Sequence, residues 1–298
     1  EYNYYYYYSN TSQSFFFISL AFLGLTIGSF LNVVAYRLPK MLKAEWRRDC
    51  LSFLGEVSEE SQKLALYSPS SHCPKCKTSI KPWENIPVLS YIVLRGKCSH
   101  CSVKINLRYP IIELLTALCT LYLGYLYGVS WGLIAALVFT WSLITLSLID
   151  LDHQLLPDDI TLPLLWLGLM VNINSLFVPL ESAIIGAILG YGLLWTTYWI
   201  FKILTGKEGM GFGDFKLLSA LGGWLGWETL PMIVLLSSVA GAAVGIFHIY
   251  FSGHKKDVPQ PFGPYLAMAG FTTLILKSSS SIFEGEIEWL SQLKSSKY

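Results

Sequence analysis

Apolar stretches of membrane-spanning length follow one another along most of this chain, separated by short polar links. A single long polar stretch interrupts them, from Arg37 to Tyr109. Crossing the hydrocarbon core of a bilayer takes about 20 predominantly apolar helical residues. The pattern predicts spans over about 15–36, 110–127, 131–149, 160–177, 182–203, 215–227, 230–251 and 262–276. The sixth and eighth are short and rich in Gly and Ala. Small residues let helix backbones approach closely, so these two are expected to be interior helices. The expected fold class is an all-α polytopic membrane protein with about eight transmembrane helices and a small polar insert.

Composition strengthens this reading. The chain has 298 residues, 53% hydrophobic and 14% charged, with a mean hydropathy of +0.48. A soluble domain carries about 25% charged residues. The net charge of +1 gives no basic footprint, so no nucleic-acid partner is expected. The chain starts without Met, as in a truncated or processed form. No small-residue cleavage pattern follows Phe15, so this segment is expected to persist as the first span.

Eight crossings put both termini on one side. Of the 21 Lys and Arg, 18 fall on the side of the polar insert, the Lys202–Lys216 loop and the Lys255-Lys256 loop. The others are Lys277, Lys294 and Lys297. Lys and Arg concentrate in cytoplasmic loops. The insert is therefore expected in the cytoplasm, with the termini outside.

Four of the six cysteines form two knuckles, Cys73-Pro-Lys-Cys76 and Cys98-Ser-His-Cys101. Paired CxxC motifs place four thiolates for tetrahedral coordination, usually of zinc. The alternative is two disulfides, which a cytoplasmic location disfavours. With four sulfur ligands the site is closed, and its role structural. The insert has few large apolar residues, so a metal would help it fold. His72 and His100 read as bystanders and Cys119 as small packing within a span. Cys50 has no partner in sequence.

Two carboxylates stand at span ends. Asp150 closes the apolar run Trp141 to Ile149 and opens Asp150-Leu-Asp152-His153-Gln-Leu-Leu-Pro-Asp158-Asp159. Asp214 follows Gly209-Met-Gly211-Phe-Gly213. A charge at a membrane boundary is costly unless solvated or paired, and so marks a functional-site hypothesis. For the first motif the bland alternative is a solvated loop, and for Asp214 it is helix capping. The topology puts both acids at the cytoplasmic face. Two carboxylates meeting there would share one proton, as aspartyl proteases require. Asp152 and Asp158 are candidates for supporting or metal-binding roles.

The Gly211-Phe-Gly-Asp214 segment fits the GxGD pattern of intramembrane aspartyl proteases. Taken with the Asp150 motif and the knuckles, the chain resembles the type IV prepilin peptidases. Further matching stretches are Gly28-Ser-Phe-Leu-Asn-Val33, Arg37-Leu-Pro39, Pro82-Trp-Glu-Asn-Ile-Pro87, Arg108-Tyr-Pro110 through Glu113, Lys207-Glu-Gly-Met210 and Pro261-Phe-Gly-Pro264. They run in order from about Gly24 to Ala269. The resemblance implies a bifunctional enzyme of the Gram-negative inner membrane. It would cleave the basic leader of type IV prepilins and type II secretion pseudopilins after a glycine. It would then N-methylate the new N-terminal residue with S-adenosylmethionine. The implied catalytic residues are Asp150 and Asp214, and the implied zinc ligands Cys73, Cys76, Cys98 and Cys101. Residues 15–36 would be the first transmembrane helix, 37–109 a cytoplasmic zinc-binding domain and 110–278 a transmembrane aspartyl peptidase domain.

No GxGxxG fingerprint opens a helix after a strand in the insert, so the S-adenosylmethionine expectation rests on resemblance alone. Glu84 and Glu113 are expected to pair with nearby Lys and Arg. Two other classes compete. A proton- or cation-coupled transporter would place acids near span centres, in paired repeats. A metal-dependent transferase would gather Asp150, Asp152 and Asp158 around Mg²⁺.

Overall fold

The structure is a computed structural model describing residues 10–56, 65–68, 70–73, 75–252 and 260–295. Every regular element among them is helical, apart from two isolated bridges. Five helices are long and apolar enough to cross a membrane. The protein is a multi-pass membrane protein. The chain divides into two compact units, 1–129 and 130–298. This division follows packing, whereas the segments expected from the sequence follow polarity.

In the first unit, α1 (Asn10–Phe53) packs along α3 (Arg108–Tyr127). Gly24 and Gly28 make the crossing close. A Cβ on Gly24 would stand 2.7 Å from Ala117 Cα, and one on Gly28 2.7 Å from Glu113 Cα. Such small residues spaced by four allow apolar helices to approach at backbone distance. The first helix does not stop where the polar stretch begins. It continues through Pro39 to Phe53. Residues 40–49 are mostly Lys, Met, Leu, Ala, Glu and Arg, all good helix formers. The Arg37 guanidinium ties the helix to the insert by donating to Ala65 O at 2.9 Å and Leu66 O at 3.2 Å.

The insert holds a 3-10 turn (Pro82–Asn85) and a short α2 (Leu89–Val93). Between them Val88 has φ +59°, and the Leu89 N–H donates to Pro87 O at 2.5 Å. This is a γ-turn centred on a β-branched residue, a strained conformation.

The second unit contains α4 (Trp131–His153), α5 (Asp158–Val171), α6 (Leu180–Thr205), α7 (Phe212–Leu225), α8 (Leu230–Ser252) and α9 (Gly263–Ser295). Its centre is α7, whose residues 217–225 are buried without a break. A helix apolar on every face belongs in an interior, as its short, Gly- and Ala-rich sequence led us to expect. At 14 residues it is about 21 Å long, less than the ~30 Å hydrocarbon thickness.

Its neighbours hold it by specific contacts. Against α6, a Cβ on Gly222 would stand 2.5 Å from the Gly186 carbonyl carbon. Ser219 Oγ donates to Ala187 O at 2.7 Å. Against α5, Trp224 Nε1 donates to Leu164 O at 2.7 Å. Beyond α5, the buried Asn172 amide donates to Gly223 O and Trp224 O and accepts from Phe177 and Val178. Lys277 Nζ on α9 donates to Leu225 O at 3.2 Å, placing a cation on the carbonyl end of α7. These contacts fix the depth and rotation of α7, and therefore the position of Asp214 at its start.

Candidate active site and metal centre

Asp150 lies in the last turn of α4 and is only 5% exposed. That helix ends when Gln154 adopts the left-handed conformation and donates its N–H to Asp150 O at 2.9 Å. The chain then turns through Leu155, Leu156 and Pro157 into α5. The Asp150 carboxylate accepts the Gly263 N–H at 2.9 Å, at the first residue of α9. A helix N-terminus offers unpaired amides and a partial positive charge, so it suits a carboxylate.

Asp214 is the third residue of α7 and is 7% exposed. Its carboxylate reaches back to the Gly211 amide at the N-cap. Gly211 is the N-cap, and Asp214 is an acid in the first turn, where it suits the positive end of the helix. The side chain is also buried, however, and lies close enough to Asp150 for the two charges to interact. Helix-start stabilisation and pairing coexist in the same carboxylate.

Leu156, in the link that follows Asp150, sits against the starts of α7 and α9. A Cβ on Gly213 would stand 2.8 Å from Leu156 Cβ, and one on Gly263 3.1 Å from Leu156 Cδ2 and 2.7 Å from Asp150 Oδ2. The glycines at 213 and 263 thus let three segments converge where side chains would keep them apart. Asp158 completes the junction, accepting from Lys216 Nζ at 2.7 Å. The first motif is therefore clamped to the second by an ion pair as well as by packing. Beside Asp214, Phe212, Phe215 and Tyr198 form an aromatic cluster with centroids 5.3–5.7 Å apart.

This geometry sorts the other acidic candidates. Asp152 and Asp159 are exposed, and Asp158 is engaged by Lys216. Among the described residues, the one group of three or more side chains positioned to hold a metal is the four cysteines. Asp150, Asp152 and Asp158 do not converge as a divalent-cation site. The sequence left Gly263, Leu156 and Lys216 without roles. The signal for Gly263 was present in Pro261-Phe-Gly-Pro264, since Pro just inside a helix start is a start signal. Its partner lies 113 residues away, beyond any local pattern.

In the first unit the four sulfurs lie within 4.8 Å of one another, with Cys73 to Cys101 at 3.7 Å and Cys76 to Cys98 at 4.0 Å. Tetrahedral Zn–S bonds of about 2.3 Å imply sulfur separations near 3.8 Å. A disulfide needs about 2.05 Å, and all six cysteines are free. The donor set fits a tetrahedral metal.

The two knuckles are also a structural repeat offset by 25 residues. In each, the first Cys N–H bonds to a carbonyl five residues on, and its own carbonyl accepts an N–H four residues on. Lys77 and Ser102 occupy matching positive-φ positions. The Thr78 hydrogen bonds, from side chain and then backbone, bring the Cys76 thiol down to about 6. A hydroxyl and an amide aimed at this sulfur favour its thiolate, the form that binds metal.

Glu113 does not pair with a Lys or Arg as its sequence suggested, whereas Glu84 lies within the field of Lys81. Glu113, 7% exposed, accepts the Val88 N–H at 2.8 Å and has no Lys or Arg partner among the described residues. Glu84 accepts the backbone N–H of Lys81 at 3.1 Å, capping its 3-10 turn. A buried carboxylate with a backbone partner, as Glu113 is, cannot be distinguished from a surface ion-pair partner by sequence neighbourhood alone.

Comparisons with known proteins agree with this geometry. A family model described as Bacterial Peptidase A24 N-terminal domain matches residues 22–127, and one described as Type IV leader peptidase family matches 137–246. A prepilin leader peptidase/N-methyltransferase of Pseudomonas putida is 51% identical over 261 residues, covering 87% of this chain and 91% of that protein. The chain belongs to the type IV leader peptidase family. Proteins of the same name from Pseudomonas aeruginosa and Aeromonas hydrophila are 50% and 52% identical, each over 87% of this chain and 90% of theirs. No solved structure matches the chain. In this leader peptidase, the gap between the two matched stretches contains the boundary between the compact units.

Proposed function

We propose that this membrane enzyme cleaves the leader peptide of type IV prepilins and type II secretion pseudopilins at the cytoplasmic membrane face. It then N-methylates the new N-terminal residue with S-adenosylmethionine. The observation that carries the reading is the pair of buried carboxylates Asp150 and Asp214, whose segments meet where Leu156 packs against Gly213 and Asp150 accepts the Gly263 N–H. The names of the close relatives join both activities in one protein.

Paired carboxylates of this kind share a proton. The ionised member takes a proton from water as the water attacks the scissile carbonyl, and the protonated member polarises that carbonyl. The pair titrates as a unit, so the roles belong to the pair. Gly211, whose side-chain position meets nothing nearer than Asp214 Oδ2 at 3.8 Å, leaves room for an extended substrate backbone beside Asp214. A prepilin offers a basic leader and then an apolar helix. With the helix in the bilayer and the leader in the cytoplasm, the scissile bond falls at the membrane surface.

The charge bias supports a cytoplasmic insert, and the resemblance to prepilin peptidases supports residence in the bacterial inner membrane. Cys73, Cys76, Cys98 and Cys101 would hold a structural Zn²⁺ that joins the two knuckles. Residues 37–109 are then a cytoplasmic metal-stabilised domain, and 110–278 carry the peptidase helices.

The test uses purified protein, a synthetic prepilin N-terminal segment and S-adenosylmethionine, read by mass spectrometry. Loss of the leader and gain of one methylene on the mature fragment are expected. An intact segment after incubation with folded protein would reject the reading.

A further inference from the structure

Beside the two acids lies an apolar side chain that the cleavage chemistry leaves without a role. Leu156 sits in the link between α4 and α5 and is 7% exposed. Its Cβ stands 2.8 Å from the point where a side chain would start on Gly213, the residue before Asp214. The corresponding point on Gly263 lies 3.1 Å from Leu156 Cδ2 and 2.7 Å from Asp150 Oδ2. The leucine therefore reaches from the backbone next to Asp214 to the Asp150 carboxylate. We propose that Leu156 determines specificity in the peptidase by filling the space into which the side chain preceding the scissile bond would project, so that glycine is selected there. The proposal rests on the peptidase half of the function above.

A leucine side chain neither donates nor accepts a hydrogen bond, so beside two carboxylates it acts through its volume. The scissile carbonyl has to come within reach of both acids. Its carbon is bonded directly, at about 1.5 Å, to the α-carbon of the residue before the cut, whereas the following α-carbon lies beyond the peptide nitrogen. The side chain that meets Leu156 first is therefore the one before the cut. A hydrogen fits at that position, and a methyl would enter filled space. Around Gly211 the path is open, with nothing nearer its side-chain position than Asp214 Oδ2 at 3.8 Å. The restriction is local to the leucine.

Steric selection needs a wall that does not yield, and the link is pinned on both sides. Gln154 closes α4 in the left-handed conformation, donating its N–H to Asp150 O. Pro157 opens α5 with φ −62°, and its carbonyl accepts from the Ile160 and Thr161 N–H groups. A proline also disfavours helical backbone in the residue before it, here Leu156. The Asp158–Lys216 ion pair then fastens the link to α7. Gly213 and Gly263 present backbone to the leucine, and backbone cannot rotate aside.

The test uses the full-length protein in detergent and two synthetic prepilin segments that differ only in having Gly or Ala before the scissile bond, with kcat/KM read by mass spectrometry. One methylene discriminates about 10–200-fold in an apolar pocket, and the wild type should prefer Gly by that order. Leu156→Ala is expected to narrow the preference by about tenfold by cleaving the Ala segment faster, a gain that loosened packing alone would not produce. Leu156→Val, which removes a single carbon, should fall between the two and guards against misfolding of the more severe variant. A wild type that cleaves both segments alike would overturn the assignment and leave the peptidase reading intact. So would a Gly/Ala ratio within twofold of wild type in whichever variant cleaves. Loss of cleavage by both variants would overturn it too, since Leu156 would then serve the fold or the acids and not selection. A wild type that cleaves neither segment would reject the peptidase reading itself.

Discussion

Gly263 has no side chain, yet it sets the position of a proposed catalytic acid. Its amide bonds Asp150, and its α-carbon faces the Asp150 carboxylate and Leu156. Gly263→Ala puts a methyl 2.7 Å from Asp150 Oδ2, so the carboxylate must move. Misplacement of a reacting group by about 1 Å costs on the order of 10²-fold in rate. We expect cleavage by Gly263→Ala to fall about that far in a peptide assay, while methylation of a pre-cleaved peptide continues. Lys216→Met tests the clamp between the motifs. The Lys216–Asp158 pair is partly exposed, so its loss should shift stability by no more than about 1 kcal/mol. A drop in cleavage beyond that small change, compared with thermal unfolding in detergent, would mark the pair as a positioning device. At this scale the residue types were legible and their partners were not. Asp150 and Asp214 announced themselves as charges at the ends of apolar runs. Gly263 and Lys216 acquire meaning only through contacts 113 and 58 residues away.

At the scale of elements, apolar runs of span length marked the helix positions well, because burial in lipid or protein demands continuous hydrophobicity. The pattern was less informative about where a helix leaves the bilayer. Polarity begins at Arg37, but propensity carries α1 to Phe53. Hydropathy reports the solvent around a helix, not its end. For α7, the glycines that suggested an interior helix are where backbones meet. Gly222→Ala should therefore destabilise the second unit by about 1–3 kcal/mol through overpacking, because the neighbouring atoms belong to the Gly186 backbone and cannot rotate away. Thermal unfolding in detergent reads this directly. A variant as stable as wild type would show that the α6–α7 contact is looser than described.

At the scale of the whole molecule, the chain is two compact units carrying different chemistry. The knuckles lie in the first and the aspartates in the second. The spacing of the cysteines made the four-sulfur cluster legible, since CxxC constrains two sulfurs locally. Their backbone repeat was hidden, because Lys77 and Ser102 share a conformation but no chemistry. Cys98→Ser should reduce the zinc content of the purified protein from about one ion per chain and lower its yield. Cleavage per folded molecule should be retained, because the substitution leaves the dyad untouched. Elemental analysis paired with the peptide assay checks both halves.

The central claim is that Asp150 and Asp214 together perform the cleavage, and the most direct test replaces each with its isosteric amide. Purified wild type, Asp150→Asn and Asp214→Asn would be given the same synthetic prepilin segment, and the products weighed by mass spectrometry. The account predicts leader removal by the wild type and none by either variant, with all three equally folded. Cleavage surviving in either variant would remove that aspartate from the mechanism and contradict the paired-acid account.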